Sequence, residues 1–454
     1  MSTFLKSTSY LLLFIIFTTL SSFTECIIEI PLKIIRKRNP NQKYKNTTIK
    51  SEPSISDFSN PLDFFKSFSE SGEYEINDNL LFLATVKIGS DSQSFNLVLD
   101  TGSSILWVAQ KGSKDTGTIN RHFNPSTSTS CSKTTEYFNQ AYGSGSCSGY
   151  FYTDVVSYIG NTNFKMLFGV ASTTDFEVED ADGIIGLART YPESGKSLIM
   201  SLYKNKVISS RAFSFKFTRV YYGEKATFYI GKHDDFSKSE TSSCSLLDTS
   251  DYEKMLWACE MTGMSLKDER NKTISASGSY SVIFDSGTNV ITMPLGYLYD
   301  IMNDVSQYGC TVQYSDATKS SYQLKCGSTL PDFLFTIDYN TYKIPSEFNY
   351  YKLGAYYYSR IIFQNSDIYI FGAPFFFTFH TLFNHDDKKL YFYPEDVNNL
   401  IKGSYWTPGK IALIIILTAL IIITIFVICH YIKWRKSTKT NDEINNIGSG
   451  NYFI

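Results

Sequence analysis

The feature that most constrains the fold is an internal repeat of two short landmarks. The apolar segment NLVLD leads into Asp100-Thr-Gly-Ser, and the segment SVIFD leads into Asp285-Ser-Gly-Thr. Gly186 of an Ile-Ile-Gly sequence lies 86 residues after Asp100, and Gly372 of an Ile-Phe-Gly sequence lies 87 residues after Asp285. Two landmarks that recur in the same order and spacing predict two related lobes of similar size.

The alternation of apolar and polar residues along the chain predicts that both lobes are mostly β. Alternating apolar and polar residues, interrupted by Gly, Ser and Asp, mark strands in the segments YEINDNLLFLATVKIGSDSQSFNLVLD, SYSVIFDSGTNVITMP, ATFYIG and DKKLYFYP. Aromatic residues make up 16% of the chain, and such residues favour half-buried pleated surfaces. Only GKSLIMSLYKN and LGYLYDIMNDVSQYG have a helical pattern, so we expect a few short helices.

Each repeated Asp follows an apolar strand and enters a turn. The glycine after it allows a tight bend, and the neighbouring hydroxyl groups can hydrogen-bond the carboxylate. If the two lobes meet at these turns, the two carboxylates share a site, where one keeps a proton and the other acts as a base. Such a pair can activate a water molecule for general acid–base hydrolysis of a peptide bond.

A second Asp-Thr-Gly tripeptide begins at Asp115. Lysine, glycine and serine precede it, so no apolar strand delivers it, and no Ile-Ile-Gly follows it at the matching offset. We interpret this copy as an ordinary surface turn, and Asp100 as the residue that carries the chemistry.

From about Tyr74 to Pro394 the chain resembles the pepsin-like aspartic proteases. The segments VLDTGSSILWV and IFDSGTNVITMP are similar to the two active-site motifs of that family, and DGIIGLA resembles a segment of its first lobe. The chain departs from the family pattern in three places: Asn289 stands where Ser or Thr is usual, Ala373 where Asp is usual, and GSDSQ before the first active-site strand replaces the more common Gly-Thr-Pro. The resemblance implies a bilobal fold with the active site between the lobes and no metal or cofactor.

The resemblance also assigns roles to single residues. It implies that Asp100 and Asp285 are catalytic. The supporting residues that it implies are Thr101, Gly102, Ser103, Ser286, Gly287 and Thr288. The segment AYGSGSCSG looks like the flap that closes over substrate, with Tyr142 and Gly143 in it and Trp107 bonded to the tyrosine.

Both ends of the chain have membrane signals. Residues 1–26 contain an apolar run, which predicts a cleaved secretory signal peptide. The alternative is an uncleaved membrane anchor. Ile411 to Cys429 are 19 residues without charge, which span roughly 28 Å as a helix and so predict a transmembrane helix over 411–432. Lysines and an arginine follow it, which favours a cytosolic tail over 433–454 and a single-pass type I protein.

The remaining boundaries follow from composition and from the resemblance. Residues 27–75, basic and then rich in Ser, Asn and Pro, are expected to form a removable pro-segment, in which Lys33 or Arg36 could cover the carboxylates, or else a linker. We expect an N-terminal lobe over 76–225, a C-terminal lobe over 226–395 and a stalk over 396–410. The catalytic part would then lie in the lumen of the secretory or endolysosomal pathway or at the cell surface.

Six of the eight cysteines fall into three close pairs. In an oxidising compartment, bridges between nearest neighbours are the favoured choice among the possible connectivities. The predicted bridges are Cys131–Cys147, Cys244–Cys259 and Cys310–Cys326. Asn46 and Asn271 lie in glycosylation sequons. Zinc is disfavoured because the chain has only five histidines and no C-x-x-C or H-E-x-x-H motif.

Charge and motif content argue against several classes of function. The net charge of −2 gives no basic face for nucleic acid. No G-x-S-x-G motif supports a serine hydrolase, and no histidine stands where a nucleophile would need one. We expect a monomeric endopeptidase that acts on proteins or peptides at acid pH. The alternative from another class is a catalytically inert receptor or binding protein on the same scaffold.

Overall fold

The protein was analysed as a computed structural model. It describes residues 28–35, 81–115, 117–143, 145–157, 163–178, 180–189, 196–220, 223–232, 236, 238, 240–267, 273–315, 320–394, 396, 400–401 and 415–434. Asn46, Asn271 and the whole predicted signal peptide lie outside these residues. So does the predicted cytosolic tail apart from residues 433–434.

Strands dominate the described residues, as the sequence predicts. The strands are β1 (Ile28–Ile35), β2 (Leu81–Ile88), β3 (Gln93–Asp100), β4 (Leu106–Asp115), β5 (Ser132–Tyr142), β6 (Gly145–Ser157), β7 (Asn163–Thr174), β8 (Gly183–Gly186), β9 (Ala212–Val220), β10 (Gly223–Ile230), β11 (Ser242–Ser245), β12 (Ala258–Lys267), β13 (Thr273–Phe284), β14 (Ile291–Pro294), β15 (Thr311–Tyr314), β16 (Ser321–Cys326), β17 (Asp332–Ile337), β18 (Asn340–Ile344), β19 (Tyr350–Leu353), β20 (Tyr356–Gln364), β21 (Tyr369–Phe371), β22 (Phe379–Asn384), β23 (Lys389–Pro394) and β24 (Leu400–Ile401).

The helices of the described residues are short, apart from the last. They are α1 (Leu198–Lys204), α2 (Asp251–Met255), α3 (Gly296–Val305), α4 (Ser346–Asn349), α5 (Ala373–Phe376) and α6 (Ile415–Trp434), with a 3₁₀ turn at Ser306–Tyr308. Both segments with a helical pattern in the sequence therefore form helices, α1 and α3.

The repeat corresponds to the same arrangement of strands in each lobe. In the first lobe, β3 pairs in parallel with β8, which pairs antiparallel with β4. In the second lobe, β13 pairs in parallel with β21, which pairs antiparallel with β14. The strand that ends at an active-site motif thus lies beside the strand of the hydrophobic-hydrophobic-Gly landmark in both lobes. The mostly β, bilobal fold predicted from the repeat is confirmed.

The two lobes are joined through an antiparallel sheet that uses strands from distant parts of the chain. Its order is β11-β23-β22-β9-β10-β1-β2, within a sheet of 13 strands. β1 pairs with β10 along one part of its length, Ile30 opposite Phe228, and with β2 along the rest, Lys33 opposite Leu83. β1 falls within the predicted pro-segment, and the expected boundary between residues 225 and 226 falls inside β10.

Phenylalanine side chains fill the core beneath this sheet. The rings of Phe213 and Phe383 are stacked at 4.8 Å, and those of Phe82 and Phe215 at 6.0 Å. Trp257 meets Phe213 edge to face at 5.7 Å. Such rings bury a large apolar area and gain a further favourable contact with one another. Aromatic side chains therefore pack against one another in the core beneath the sheet that joins the lobes.

The C-terminal helix forms a separate compact unit with the residues around it, Gly403 to Ile454. α6 is 20 residues long, has a mean hydropathy of 2.7 and buries none of its apolar residues within the protein. By length and composition it can cross a membrane. The predicted span began at 411, and residues 411–414 lie outside the described residues.

Two of the three predicted disulfides are present. Cys244 is bonded to Cys259, and Cys310 to Cys326. The predicted bridge between Cys131 and Cys147 is wrong, because both are free thiols.

The register of the β5–β6 hairpin explains the error. Gln140 lies opposite Cys147, whereas Ser132, next to Cys131, lies opposite Thr153. Cys131 is therefore level with Asp154, whose negative charge acts on its thiol. Six or seven residues of strand separate the two cysteines, roughly 20 Å at the rise of a β-strand, whereas a disulfide needs Cα atoms within about 7 Å.

These thiols lead to a testable prediction. Burial, with carboxylates nearby, raises the pKa of Cys131 and of Cys147 to about 12, so little reactive thiolate is present at neutral pH. We expect iodoacetamide to label both cysteines in the unfolded, unreduced protein and to label them slowly in the native protein. Peptide mapping without reduction checks this, and a cross-linked peptide containing both residues would contradict the structure.

Candidate active site

Both repeated Asp residues lie in loops held by the Gly landmark of their own lobe. In the first lobe, the backbone amide of Leu187 donates to the carbonyl of Asp100 at 2.7 Å, and that of Ala188 to the carbonyl of Ser103 at 2.8 Å. In the second, the amide of Ala373 donates to the carbonyl of Thr288 at 2.8 Å. Each loop is thus fixed by backbone hydrogen bonds from the segment that follows its landmark.

The two loops are braced against each other by the hydroxyl groups of Thr101 and Ser286. Thr101 Oγ1 donates to the carbonyl of Phe284 at 2.8 Å, and Ser286 Oγ donates to the carbonyl of Leu99 at 2.7 Å. Each hydroxyl also accepts the backbone amide of the other residue, at 2.9 and 3.1 Å. Both side chains are fully buried, so these four bonds lie in a setting where a lost partner would be costly.

The carboxyl groups of Asp100 and Asp285 are held by equivalent donors, in each lobe the amide of a glycine and a side-chain hydroxyl. Oδ1 of Asp100 accepts the amide of Gly102 at 2.9 Å, and its Oδ2 accepts the hydroxyl of Ser103. Oδ1 of Asp285 accepts the amide of Gly287 at 2.9 Å, and its Oδ2 accepts the hydroxyl of Thr288 at 2.7 Å. The site therefore has a local twofold symmetry that matches the symmetry of the sequence repeat.

The structure brings the two carboxyl groups into contact. The Asp285 carboxyl is close enough for its negative charge to act directly on that of Asp100. The loops are so close that a Cβ placed on Gly102 would lie 2.9 Å from the Asp285 carboxyl, and one on Gly287 would lie 2.5 Å from Oδ1 of Asp100. Glycine is needed at both positions because each backbone approaches the opposite carboxyl.

Burial, and then the negative charge of Asp285, raise the pKa of Asp100 far above its ordinary value. Asp100 is only 6% exposed, so its charged form is poorly solvated. The pair therefore holds one proton over a wide range of pH. Because the pKa of Asp100 is raised, that proton is expected on Asp100.

This pKa shift predicts how stability depends on pH. Above the ordinary value of 3.8, the unfolded chain has released the proton of Asp100 while the folded protein keeps it. Unfolding then releases a proton, so the free energy of unfolding falls as pH rises, until pH passes the raised pKa. Between the ordinary and the raised pKa, this one group lowers the free energy of unfolding by up to about 1.4 kcal/mol per pH unit.

Asp100→Asn isolates that contribution, because other carboxyl groups titrate in both proteins. We expect the stability of Asp100→Asn relative to the natural protein to increase steadily from acid to neutral pH. Urea unfolding of both proteins at several pH values measures the difference. A difference that stays constant with pH would contradict the raised pKa.

The residues predicted to form a flap lie on the β5–β6 hairpin. Nε1 of Trp107 donates to the hydroxyl of Tyr142 at 3.0 Å, as the family resemblance implies. Phe176 packs edge to face against both rings, at 5.3 Å from Trp107 and 6.3 Å from Tyr142. Burial raises the pKa of Tyr142, so its hydroxyl stays protonated. Gly143 lies at the tip of the hairpin, where a Cβ would meet no other atom within 4 Å.

The second Asp-Thr-Gly copy, at Asp115, is not part of this site. Asp115 is the last residue of β4, and its Oδ1 accepts the amide of Gly117 at 2.9 Å. Its Oδ2 is 3.0 Å from Nε2 of His122. Asp115 thus closes a turn and pairs with a histidine.

Sequence reasoning missed the residues that lie behind the catalytic loops. Trp257 donates from Nε1 to the carbonyl of Leu187 at 2.8 Å, and its own carbonyl accepts the amide of Phe284 at 3.0 Å. Arg189 reaches the carbonyls of Leu247 and Glu253. The signal available was weak: tryptophan is rare in this chain, with four residues, and Arg189 follows the Ile-Ile-Gly landmark by three positions.

This geometry agrees with comparisons to known proteins. The family described as eukaryotic aspartyl protease matches residues 81–394, and the chain belongs to that family. It is similar to a pregnancy-associated glycoprotein of Equus caballus, 24% identical over 400 residues, which are 82% of this chain and 96% of the relative. It is similar to pepsin A of Sus scrofa, 25% identical over 401 residues, 81% and 95% of the two chains. Pepsin II-1 of Oryctolagus cuniculus is 27% identical over 347 residues, 72% and 84% of the two chains.

Proposed function

We propose that this protein is a membrane-anchored aspartic endopeptidase that hydrolyses peptide bonds with a water molecule activated between Asp100 and Asp285. The observation that carries the proposal is the close approach of the buried carboxyl group of Asp100 and the half-buried carboxyl group of Asp285, each held by an equivalent pair of donors. Carboxyl groups in contact cannot both ionise easily, so the pair provides an acid and a base at once.

In the proposed reaction, Asp285 takes a proton from the water molecule while the oxygen of that water bonds to the carbonyl carbon of the peptide. Asp100 gives its proton to the carbonyl oxygen, and a tetrahedral diol results. In the second step Asp100 takes back a proton from one hydroxyl as the carbon–oxygen double bond reforms. The carbon–nitrogen bond breaks, and Asp285 gives its proton to the leaving nitrogen. Both side chains end in their starting states.

We propose that the β5–β6 hairpin closes over a bound peptide, with Tyr142 and Gly143 at the substrate. The bond from Trp107 supports this, because it fixes the tyrosine ring at the base of the tip. Closure would exclude bulk water from the carboxyl pair and would hold the peptide for attack.

We further propose a type I topology. The two disulfides support a lumenal or extracellular catalytic unit, and the length and hydropathy of α6 support a single anchor. Residues 1–26 would be removed as a signal peptide and residues 27–75 would act as a pro-segment, with glycans on Asn46 and Asn271. The substrates would be proteins or peptides, and the enzyme would act as a monomer.

Hydrolysis of a denatured protein by the purified chain tests the activity. We expect cleavage at acid pH, inhibited by pepstatin and lost as pH rises and the carboxyl pair loses its shared proton. Absence of cleavage after removal of the predicted pro-segment, across acid and neutral pH, would favour an inert binding protein instead.

A further inference from the structure

Residues 187–189, here named the strap, directly follow the first Gly landmark and hold the loop of Asp100. The amide of Leu187 donates to the carbonyl of Asp100 at 2.7 Å, and the amide of Ala188 donates to the carbonyl of Ser103 at 2.8 Å. These two bonds span the first active-site motif, from its Asp to its Ser. The position of the strap therefore determines the position of the loop that carries Asp100.

The opposite side of the strap is bonded to the second lobe. The guanidinium of Arg189 donates to the carbonyls of Leu247 and Glu253, at 3.1 and 3.2 Å. It also donates to Oδ1 of Asp248 at 2.5 Å, and the Arg189 side chain is only 7% exposed. Nε1 of Trp257 donates to the carbonyl of the first strap residue at 2.8 Å. These hydrogen bonds join the strap of one lobe to the other lobe.

The acceptors of Arg189 are themselves held in place. Glu253 lies in α2, which begins with a capping box: the Ser250 hydroxyl accepts the amide of Glu253 at 3.1 Å, and the Glu253 carboxylate accepts the amide of Ser250 at 3.0 Å. The amide of Leu247 donates to the carbonyl of Ala258 at 2.9 Å. A reciprocal cap of this kind orders the first turn of a helix. Arg189 therefore meets an ordered set of acceptors in the second lobe.

Asp248 also binds a second cation. Its Oδ2 accepts a hydrogen bond from Nζ of Lys388 at 3.1 Å. Partial burial raises the pKa of Asp248, but the hydrogen bonds from Arg189 and Lys388 together lower it more, so the pKa lies below its ordinary value. The carboxylate therefore stays charged further into the acid range, where the proposed proteolysis occurs.

This attachment breaks the twofold symmetry of the site. In the second lobe the Gly landmark is followed by Ala373, Pro374 and Phe375, none of which has a charged side chain. The amide of Ala373 holds the carbonyl of Thr288, as the strap holds its own loop. An arginine at the third position after the landmark thus occurs only behind Asp100.

We propose that Arg189 and Asp248 are positioning residues for the carboxyl of Asp100 and act through the strap. The inference rests on the proposed peptidase function. If the bonds of Arg189 loosen, the strap and the loop of Asp100 can shift relative to Asp285, and about 1 Å of shift at a reacting group costs roughly a hundredfold in rate. Loss of the Asp248 charge alone should cost less, about tenfold, because two backbone carbonyls still hold the guanidinium.

Asp248→Asn tests the proposal, and Asp386→Asn is its matched control. Asp386 accepts Nε of Arg211 at 2.5 Å, so the same substitution alters the same kind of pair, next to β9 and not on the strap. Pepstatin-sensitive cleavage by the full-length chain in a non-ionic detergent would be measured. We expect kcat to fall about tenfold in Asp248→Asn with KM within about twofold of natural, because the transition state and not the bound substrate is affected. Asp386→Asn should cleave at the natural rate.

Hydrogen exchange gives a second result that does not depend on proteolysis. The amides of Leu187 and Ala188 should exchange at least about tenfold faster in Asp248→Asn than in the natural chain, since local opening of the strap becomes easier. Exchange in β6 should be unchanged, which separates a local effect from general loss of stability. In Asp386→Asn the two strap amides should exchange at the natural rate.

The two measurements separate failure of this inference from failure of the proposed function. If the natural chain cleaves but kcat is unchanged in Asp248→Asn, or falls equally in both variants, the positioning role is overturned. If the natural chain does not cleave, the peptidase function fails, and hydrogen exchange decides the inference alone. Equal exchange of the strap amides in the natural chain and Asp248→Asn would then overturn it.

Discussion

Asp285→Asn is expected to reduce the rate of peptide hydrolysis at least about a thousandfold while the protein stays folded. Asparagine keeps the shape of the side chain: its oxygen can accept the amide of Gly287, and its NH2 group, in the place of Oδ2, can donate to the hydroxyl of Thr288. It cannot accept a proton from water, so the pair loses its base. The variant also removes a negative charge beside the buried Asp100, so its stability at neutral pH should equal or exceed that of the natural protein.

Asp115→Asn provides a matched control, because it alters the same tripeptide outside the site. Asp115 pairs with His122 at 3.0 Å and does not contact the carboxyl pair, so this variant should cleave at the natural rate. Initial rates on an unfolded protein substrate, with circular dichroism to verify folding, measure both effects. Full activity in Asp285→Asn would disprove the proposed mechanism, and loss of activity in Asp115→Asn would show that the method does not separate folding from catalysis.

The sequence predicts the two Asp-containing turns of the site, because each turn is formed by neighbouring residues and the pattern occurs twice. An apolar strand followed by Asp-Thr-Gly-Ser determines its own turn, in which the amide of Gly102 and the hydroxyl of Ser103 reach the carboxyl of Asp100. The nearly equal spacing of the landmarks, 86 and 87 residues, then predicts that the two turns belong to equivalent positions of two lobes. The strand pairings of β8 and β21 follow this pattern.

The features that the sequence does not predict depend on pairing between distant segments. The separation of Cys131 and Cys147 along the chain suggests a small disulfide loop, but the register of one hairpin places them at different levels. In the same way, nothing in the composition of residues 28–35 indicates that they pair with β10, nearly two hundred residues away. Arg189 meets Asp248 for a similar reason: the partner belongs to the other lobe.

Gly287→Ala is expected to have the second large effect, because it acts on the geometry of the pair without changing any titratable group. The added Cβ would lie 2.5 Å from Oδ1 and 2.9 Å from Cγ of Asp100, closer than any real contact allows. Either the loop or the carboxyl must move, and the placement of the Asp100 carboxyl relative to that of Asp285 is the feature most directly affected. A misplacement of about 1 Å at a reacting group costs roughly a hundredfold in rate, which is the loss that we expect in kcat/KM.

Stability should fall much less than activity in Gly287→Ala, by about 1–3 kcal/mol, since the extra methyl group affects one loop and the bracing by Thr101 and Ser286 remains. Gly296→Ala is the matched control: a Cβ there meets no atom within 4 Å, and the residue begins α3, so activity should be unchanged. Cleavage rates and urea unfolding of both variants separate the two effects. If Gly287→Ala cleaved at the natural rate, the close approach of this loop to Asp100 would have no part in setting the geometry of the pair. If instead its activity fell and its unfolding stayed close to natural, the opposing backbone would be what keeps the two carboxyl groups in register.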